Sequence, residues 1–363
     1  MVTPHLPPHQ AANALFPHLL GEALRERGHL VRYLTFGDAA DGDGVRFVKR
    51  RRGPRATRVP QALEAWDTWR KGAPWIRESD VVHIHSSTWM NQVAARVAER
   101  ERRPYLLTHY GTEIWHADGK DARFRRFNAS AAHVAFYSEA LFRRGRELGL
   151  PLARASVVYP PVADAFGPRP PADRAAIRAR HGVSAAPLLL NVKRLHPLAD
   201  HATLLEAFAI FRSARQDARL LIAGAGETRD ALEQQVLRLA LGDSVRLLGL
   251  VPNQQVAELQ AAADLFVLSS TLEATPTVAL EALASGTPVV STDNPGGLEL
   301  AALFGADVRI VEKRDPRALA AALGEFAAAP RRAGAATAAV VEERFRVRGV
   351  VERYLALYAE ATA

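Results

Sequence analysis

The chain of 363 residues contains no cysteine, so disulfide bonds and thiolate metal sites are excluded. No apolar run approaches the roughly 18 residues that a membrane-spanning helix needs. The N-terminus also lacks the pattern of a signal peptide. We therefore expect a soluble protein of the cytoplasm.

Acidic residues are missing from residues 46–58, which begin with Arg46, end with Arg58 and hold seven basic residues. This stretch supplies much of the formal net charge of +8. No recognition module or aromatic platform accompanies it, so we expect no nucleic-acid partner. Three interpretations stay open: peripheral contact with an anionic membrane, which would lie at its inner face, contact with an anionic acceptor, and a solvated basic loop.

The length suits two domains of ordinary size, and the 48% of apolar residues suffices for two cores. Strand-like and helix-like patterns alternate in both halves, which predicts an α/β fold with parallel sheets. A proline-rich stretch up to Pro171 reads as a linker between them. We predict domains over residues 1–165 and 166–339, followed by a terminal helix over residues 340–360.

The alternation predicts individual elements. Predicted strands cover residues 2–3, 30–36, 80–85, 105–108, 134–138, 156–159, 188–192, 219–223, 245–249, 264–270 and 308–311. Predicted helices include residues 139–149, 204–213, 256–263 and 316–328.

A further helix is predicted after the strand that ends at Ser270. Thr275 can cap this helix, and Pro276 suits its first position, where a missing N–H costs nothing. Gly286 and Pro288 end it, and another strand begins there.

Two glutamates flank the start of this predicted helix, Glu273 in the turn and Glu281 about one and a half turns inside it. Between them lie the amides of Thr277 and Val278, at the positive end of the helix dipole, which suits a diphosphate. The two carboxylates can accept hydrogen bonds from sugar or ribose hydroxyls. The alternative is a helix with two solvated glutamates.

The pattern E-x7-E after an apolar strand, followed by A-x-G-T-P-V-V, resembles the donor-site signature of the family 4 retaining glycosyltransferases. The resemblance extends along nearly the whole chain. It implies the GT-B fold, in which two Rossmann-like domains with parallel sheets face each other across a cleft, and the terminal helix braces the first domain. It implies transfer of a hexosyl group from a nucleotide-sugar donor to a hydroxyl acceptor. The sugar would keep its configuration, and the reaction would need no metal or other cofactor.

The resemblance assigns donor-binding roles in the second domain. Lys193 and Arg194 would neutralise the diphosphate, although the usual lysine of this motif is replaced by Ala199. Arg194 matches the motif, and Lys193 directly before it would supply the second charge, although neighbours on an extended chain point to opposite sides. Gly224 and Gly226 match a G-x-G loop that faces the donor.

Further donor contacts follow from the same resemblance. The turn at Val251 would hold the base through its backbone, and Gly296 and Gly297 match a G-G-x-x-E motif beside the leaving group, one residue short. Glu281 would hold the ribose, and Glu273 would position the sugar hydroxyls.

The first domain would bind the acceptor. The strand over residues 80–85 carries His85, which the resemblance turns toward the cleft, and His109 and Tyr110 follow the next strand in a loop. His109 would contact the donor sugar, and His9, His85 and Tyr110 would line the acceptor site. The glycine pair that the family usually has near His9 is replaced by Ala11-Ala12. The first strand is also very short, so we interpret the start of the sequence as truncated or misannotated.

Metal binding is not expected. The triplet Asp41-Gly42-Asp43 reads as a turn. Four histidines could suggest zinc, but they lack cysteine partners and a helical pair four residues apart. These histidines are His83, His85, His109 and His116.

Two other classes of protein remain as alternatives. A non-catalytic GT-B module would bind a nucleotide-sugar or assemble with a partner enzyme, and Ala199 and Ala11-Ala12 favour it. A dinucleotide-dependent oxidoreductase would need a complete glycine fingerprint with an acidic residue about 20 positions further on, and neither half has one. The sequence favours the glycosyltransferase but does not identify the nucleotide, the sugar or the acceptor.

Overall fold

The structure, a computed structural model, describes residues 1–9, 12–51, 59–183 and 185–363. Ala11 of the alanine pair and residues 52–58 of the basic stretch lie outside these ranges. The contacts divide the chain into two units. The first unit comprises Met1–Pro161 with Val347–Ala363, and the second comprises Val162–Arg346.

The first unit alternates strands with helices. Its strands are β1 (Tyr33–Phe36), β2 (Val45–Val48), β3 (Val82–His85), β4 (Tyr105–His109), β5 (His133–Phe136) and β6 (Ala155–Val157). Its helices up to β6 are α1 (Ala12–Glu26), α2 (Val59–Glu78), α3 (Trp89–Arg100), α4 (Thr112–Trp115), α5 (Ala122–Ala129) and α6 (Glu139–Glu147).

The strands of this unit pair in parallel, β1 with β2 and β3 to β6 in chain order. Val2 forms parallel bridges to Leu34 and to Ile84, so it connects β1 with β3. Its amide donates to the His83 carbonyl at 2.8 Å, and its carbonyl accepts from the His85 amide at 2.8 Å. The strand expected at residues 2–3 is thus reduced to a bridge. Every residue of β3 and β4 is buried, as their short apolar runs predict.

The second unit repeats the alternation. Its strands are β7 (Leu188–Val192), β8 (Arg219–Ala223), β9 (Val245–Gly249), β10 (Leu265–Leu268), β11 (Val289–Thr292) and β12 (Val308–Val311). Its helices are α7 (Pro171–Arg180), α8 (His201–Ala214), α9 (Arg229–Arg238), α10 (Asn253–Ala262), α11 (Thr277–Ala284), α12 (Pro295–Phe304), α13 (Pro316–Ala328) and α14 (Ala335–Arg344).

The six strands of the second unit form one parallel sheet in the order β12-β11-β10-β7-β8-β9. Because β7 comes first in the chain but lies inside the sheet, the strand order reverses between β7 and β10. A core of buried side chains from the sheet and the helices α8 and α13 includes Leu189, Phe208, Leu220, Val267 and Leu319. In open α/β sheets, ligands bind beyond the carboxyl ends of the strands at such a reversal.

A last helix, α15 (Val347–Thr362), returns to the first unit. The Tyr354 hydroxyl lies 3.1 Å from Thr108 Oγ1 in β4. The Tyr358 hydroxyl lies 2.7 Å from His83 Nδ1 in β3. Because Tyr354 is fully buried and Tyr358 pairs with a buried histidine, these tyrosines attach α15 to the sheet.

The prediction of one helix over residues 340–360 is wrong, because α14 ends before Phe345 and α15 begins after Arg346. The Phe345 carbonyl accepts the Val162 amide at 2.7 Å. The Arg346 guanidinium donates to the carbonyls of Ala163 and Phe166. These contacts come from residues distant in the chain, so the local sequence pattern does not contain the break.

Two other local predictions need correction. The strand expected over residues 30–36 begins only at Tyr33. The start of the basic stretch, as far as Val48, belongs to β2. His109 ends β4 and does not lie in the following loop, because it continues the pairing of β4 with β5 opposite Phe136.

Candidate active site

Lys193 and Glu273 meet at the reversal of strand order in the second unit. Lys193 directly follows β7, and Glu273 follows the neighbouring strand β10. The Lys193 Nζ lies 2.5 Å from the Glu273 Oε1, and both side chains are largely buried. The ion pair therefore stands at the place where the topology of the sheet predicts a ligand.

Arg194 points elsewhere. Its guanidinium is exposed and lies 3.4 Å from the Glu227 carboxylate, which a histidine ring also approaches. The extended backbone after β7 sends successive side chains to opposite sides. The two predicted cations are thus separated, and the structure brings only Lys193 together with Glu273.

A buried polar contact supports the strand that carries Lys193. The Asn191 side-chain amide donates to the Val267 carbonyl of β10 at 2.8 Å, so its oxygen accepts from His201 Nε2 at 3.0 Å. Burial, with a smaller effect of the nearby Lys193 charge, lowers the pKa of His201 to about 4. His201 is therefore neutral at ordinary pH, and it links α8 to β7 through Asn191.

Close packing explains why positions 224 and 226 are glycine. A Cβ on Gly224 would lie 1.9 Å from the Lys193 carbonyl oxygen, and a Cβ on Gly226 would lie 2.1 Å from the Leu195 carbonyl oxygen. Gly224 also has a φ of +145°, which side chains rarely permit. These glycines allow the loop after β8 to lie against the loop that carries Lys193.

Ala199, at the expected lysine position, is buried at the end of a short 3₁₀ turn (Pro197–Ala199). Its carbonyl accepts the Ser269 hydroxyl at 2.8 Å, and the Leu198 carbonyl accepts the Thr271 amide at 2.8 Å. This turn is attached to the segment after β10. Ala199 therefore contributes to the packing of this turn against the segment after β10.

The helix α11 begins one residue later than expected, at Thr277, because Pro276 occupies the N-cap position that the sequence assigned to Thr275. Pro276 provides no side-chain hydrogen bond. The first amides of α11, those of Thr277 and Val278, therefore receive no hydrogen bond from the side chain of the N-cap residue. Unsatisfied amides at a helix N-terminus attract anions.

Glu281 lies on α11 and is only partly exposed. Burial raises its pKa to about 8, and a hydrogen bond with Gln260 of α10 opposes the rise. The Gln260 side-chain amide also donates to the Val278 carbonyl at 3.0 Å. Glu281 is thus largely protonated at neutral pH, and Gln260 holds it beside the start of α11.

The amides of the predicted glycine pair already have partners. Gly296 donates to the Glu273 carbonyl at 3.0 Å, and Gly297 donates to the Asn294 side chain at 2.8 Å, which caps α12. A Cβ on Gly296 would approach Pro276 Cδ to 2.7 Å. Gly296 therefore lets the first turn of α12 lie against the turn that carries Glu273, whereas Gly297 lets it lie against Ser291 of β11.

Val251 follows β9 and is buried, whereas the preceding Leu250 is exposed. Pro252 then starts α10 as its N-cap. The structure thus places Val251 in the predicted turn, and its contact with a base stays a prediction.

In the first unit, His109 has no exposed surface. Its Nε2 lies 2.8 Å from Asn128 Oδ1. The Asn128 amide donates to the Phe124 carbonyl, so the histidine nitrogen donates to the oxygen. Its Nδ1 lies 3.6 Å from the Glu113 carboxylate, which accepts the Tyr110 amide. Contact between His109 and a sugar would require movement of these neighbours.

The predicted acceptor residues do not form one group. His85 is fully buried, and its Nδ1 lies 2.8 Å from the Tyr110 hydroxyl. Tyr110 is partly buried against Tyr137, with ring centroids 4.4 Å apart. His9 is exposed and stacks on His5 at 4.2 Å. The structure thus brings His85 and Tyr110 together and leaves His9 at the surface.

His83 and His85 are adjacent, with ring centroids 3.9 Å apart. Both nitrogens of His83 and the Nδ1 of His85 face hydroxyl groups of other residues, whereas His85 Nε2 is buried without a hydrogen-bond partner among the described residues. Burial holds the pKa of both histidines well below the usual value. In the part of the chain that the structure describes, no three histidine, aspartate or glutamate side chains are placed to hold a metal ion.

Sequence reasoning missed Asn191, His201 and Gln260. A signal existed for Asn191, because an amide within the apolar run Leu188–Val192 needs a buried partner. No local pattern indicates Gln260, since its partners Val278 and Glu281 belong to the next helix.

A parallel sheet with this reversal of strand order, a lysine–glutamate pair at the reversal and a helix N-terminus beside it define a doubly wound α/β unit with a candidate ligand site. Two family models match the chain. The one described as Glycosyltransferase Family 4 matches residues 17–166, and the one described as Glycosyl transferases group 1 matches residues 173–338. The chain belongs to this family of glycosyltransferases, as its signature residues predict.

Curated relatives agree with the family. The chain is 36% identical over 224 residues to a D-inositol 3-phosphate glycosyltransferase of Thermobispora bispora, which is 58% of this chain and 51% of the relative. It is 36% identical over 148 residues to a mannosylfructose-phosphate synthase of Agrobacterium fabrum, covering 39% of this chain and 32% of that protein. The chain thus spans about half or less of the length of these relatives.

Solved structures share the fold. The HepE protein of Anabaena, in complex with UDP and glucose, superimposes with a TM-score of 0.80 at 20% identity, over 99% of this chain and 98% of that one. Sucrose-phosphate synthase of Thermosynechococcus elongatus superimposes with a TM-score of 0.78 at 21% identity, over 99% and 95%. The GT-B class predicted from the sequence is confirmed.

Proposed function

We propose that the chain transfers a hexosyl group from a nucleotide-diphosphate sugar to a hydroxyl acceptor with retention of configuration. The observation that carries this proposal is the ion pair of Lys193 and Glu273 at the reversal of strand order. The anomeric carbon exchanges its bond to the phosphate oxygen for a bond to the acceptor oxygen. The acceptor proton passes to the departing phosphate, so the reaction needs neither a protein base nor a metal.

Lys193 has the main electrostatic role in this proposal. Negative charge develops on the diphosphate as the bond breaks, and a fixed cation lowers the energy of that state. Lys193 replaces the lysine that Ala199 does not provide, because its ammonium is already held at the site by Glu273. Arg194 would add a more distant charge from the exposed side.

Glu273 and α11 would position the rest of the donor. When a phosphate binds Lys193, the Glu273 carboxylate becomes available to sugar hydroxyls. The amides of Thr277 and Val278 would face the phosphate, and Glu281 would bind the ribose hydroxyls. Gly224, Gly226 and Gly296 would act indirectly, because each allows a close contact between the loops that form the site. Gly297 would act through the packing of α12 on the end of β11.

The roles of the first unit remain expectations from the family resemblance. His109 would contact the sugar, and His9, His85 and Tyr110 would line the acceptor site. His85 and His109 are fully buried, so this proposal includes a rearrangement of the segment after β4 when substrates bind. The acceptor itself is proposed only as a hydroxyl compound.

We also propose that the protein contacts an anionic membrane through the basic residues 46–58. None of the helices in the described ranges is long and apolar enough to cross a membrane. Arg46 is occupied within the protein, because it stacks on Trp75 at 4.0 Å and bonds to the Lys71 carbonyl. The next basic residues, Lys49 to Arg51, are more exposed to solvent.

Thermal unfolding against a panel of UDP-, GDP- and ADP-sugars tests donor binding. A ligand that binds only the folded protein raises the unfolding midpoint. UDP-glucose comes first, because HepE was solved with UDP and glucose. We expect one nucleotide to stabilise the wild type and the control Glu233→Ala, but not Glu281→Ala. If no member of the panel stabilises the wild type, the proposal is wrong.

The alternative of a non-catalytic binding module is favoured by Ala199. It predicts donor binding without turnover. Release of the nucleoside diphosphate in the presence of a range of hydroxyl acceptors separates the two functions, since only the enzyme releases it in proportion to added acceptor.

A further inference from the structure

The helix α2 presents large apolar side chains to solvent. Val59, Leu63, Trp66 and Trp69 are all exposed, and 58% of the Trp66 surface is accessible. At roughly 100° per residue, these positions lie on one side of the helix. The rings of Trp66 and Trp69 are 5.1 Å apart. Exposed apolar residues are ordinary when they are scattered, but a contiguous group marks an interaction surface.

In its N-terminal half, α2 has the reverse polarity of a typical surface helix, whereas Ala73 and Ile76 are buried in its C-terminal half. Its inward side contains Glu64 and Thr68, both buried, and the Thr68 hydroxyl donates to the Glu64 carbonyl at 2.7 Å. Gly72 approaches Leu34 on the same side. A surface helix normally places its apolar residues inward. The outward tryptophans therefore do not serve the core of this unit.

Basic residues surround this face. The chain passes beside α2 at Lys49, whose amide donates to the Asp67 carboxylate at 3.2 Å. Arg50 and Arg51 follow, both exposed. Arg70 is exposed on α2 itself and bonds to Asp67 at 2.9 Å. These four basic residues outnumber the three acidic residues beside them, Asp38, Glu64 and Asp67.

A third tryptophan extends the surface onto α3. The Trp89 indole N–H donates to the Gln61 carbonyl of α2 at 3.0 Å. Two exposed guanidinium groups lie over its ring, that of Arg96 at 5.7 Å and that of Arg123 at 5.9 Å. The face of α2 is therefore an apolar and aromatic strip with positive charge on both sides. We call Val59, Leu63, Trp66 and Trp69 the α2 strip.

We propose that the α2 strip docks on the surface of an anionic phospholipid bilayer. Tryptophan rings are enriched at the level of lipid headgroups, and the flanking cations would meet lipid phosphates. The helix would lie in the interface plane. Nucleic acid and glycans fit less well, because Val59 and Leu63 offer neither a ring for stacking nor a hydrogen bond. This inference rests on the proposed membrane contact and not on the transfer reaction.

The test is sedimentation of the whole protein with vesicles of phosphatidylcholine alone or mixed with phosphatidylglycerol. We expect binding only to the mixed vesicles, with a blue shift of tryptophan emission. Trp66→Ser combined with Trp69→Ser should weaken binding by about tenfold or more and abolish the shift. Arg70→Gln should weaken it about fivefold, because one basic residue near such a surface contributes about 1 kcal/mol.

Matched controls lie in the second unit. Leu237→Ser removes an apolar side chain that is 68% exposed on α9. Arg309→Gln removes a guanidinium that is 59% exposed and paired with Glu325, compared with 56% for Arg70. We expect both controls to bind vesicles like the wild type. Because the changed side chains are exposed, every variant should keep the wild-type unfolding midpoint.

Three results would overturn the inference: no binding of the wild type to mixed vesicles, equal binding of the wild type and the double tryptophan variant, or tryptophan-dependent binding of soluble polysaccharide or single-stranded DNA in place of vesicles. Stabilisation by nucleotide-sugars is measured on the same proteins. Vesicle binding without donor binding would refute the proposed transferase and leave the membrane contact intact.

Discussion

The ammonium of Lys193 lies 2.5 Å from the carboxylate of Glu273, across the two strands between which the strand order of the second unit reverses. Both residues were assigned to donor binding from separate motifs. In the proposed function, the cation would face the diphosphate of a nucleotide-sugar and the anion would face its hydroxyls. Each charge also stabilises the other before the ligand arrives.

The separation of the two neighbouring cations leads to the first prediction. Lys193→Met should lower the rate of transfer by about a hundredfold or more, since it removes the fixed charge at the leaving group. Arg194→Met should lower this rate much less, because the guanidinium of Arg194 is exposed and its charge is screened by solvent. The measurement is nucleoside diphosphate release at saturating donor. Equal losses in the two variants would place the diphosphate elsewhere.

The second prediction concerns the pH dependence of stability at Glu281. Its pKa rises from 4.5 to about 8 on folding, so the folded protein holds this proton more tightly than the unfolded chain does. The contribution to stability is therefore largest below pH 4.5 and falls as the pH rises toward 8. Glu281→Gln removes this loss and should stabilise the protein by a few kcal/mol at most at high pH.

Denaturant titrations at pH 4.5 and pH 8 measure the difference in unfolding free energy between the wild type and Glu281→Gln. If the difference in unfolding free energy does not change with pH, the carboxyl is not buried as described. Donor binding offers an independent check. Ribose hydroxyls that donate to Glu281 favour its ionised form, so binding should release a proton near neutral pH in the wild type but not in the variant.

The third prediction concerns acid stability at His201. Its pKa falls from 6.5 to about 4 on folding, so the unfolded chain binds this proton more readily. The contribution of His201 to stability is complete above pH 6.5 and is lost as the pH falls toward 4, by about 3 kcal/mol in total. The slope of the unfolding free energy against pH reports how many protons the protein binds on unfolding. In His201→Gln this number should be smaller than in the wild type by up to one proton between pH 4 and 6.5. Parallel curves for the two proteins would contradict the assignment.

The fourth prediction concerns the glycine whose absent Cβ allows the Lys193 loop to approach. Gly224→Ala would place a methyl group 1.9 Å from the Lys193 carbonyl, at a φ of +145°. We expect a loss of about 2 kcal/mol or more in unfolding free energy, together with loss of donor binding, because the loop must move.

Gly324→Ala is the control for this substitution. Gly324 lies inside α13, with nothing within 4 Å of an added Cβ. Replacement there should raise stability by about 1 kcal/mol, since alanine favours helix. A Gly224→Ala protein as stable as the wild type would show that the two loops do not pack closely.

Most strands of the second unit could be predicted from local pattern, and β7, β8, β9 and β12 have the predicted bounds. Each is a short apolar run between turn residues, which is the signal of a buried parallel strand. Prediction failed where distant residues decide the backbone. His109 joins β4 because β5 pairs with it, and the chain breaks at Phe345 because Val162 bonds to its carbonyl.

The sequence alone determined the α/β alternation, the GT-B class and the identity of the donor-site candidates, because period, turn residues and motif spacing are local properties of a chain. Only the tertiary structure decided that Lys193 and Arg194 have different partners, that Glu281 is held protonated and that α2 turns Trp66 and Trp69 outward. Those properties depend on burial and on contacts between segments far apart in the chain, and no local pattern records them.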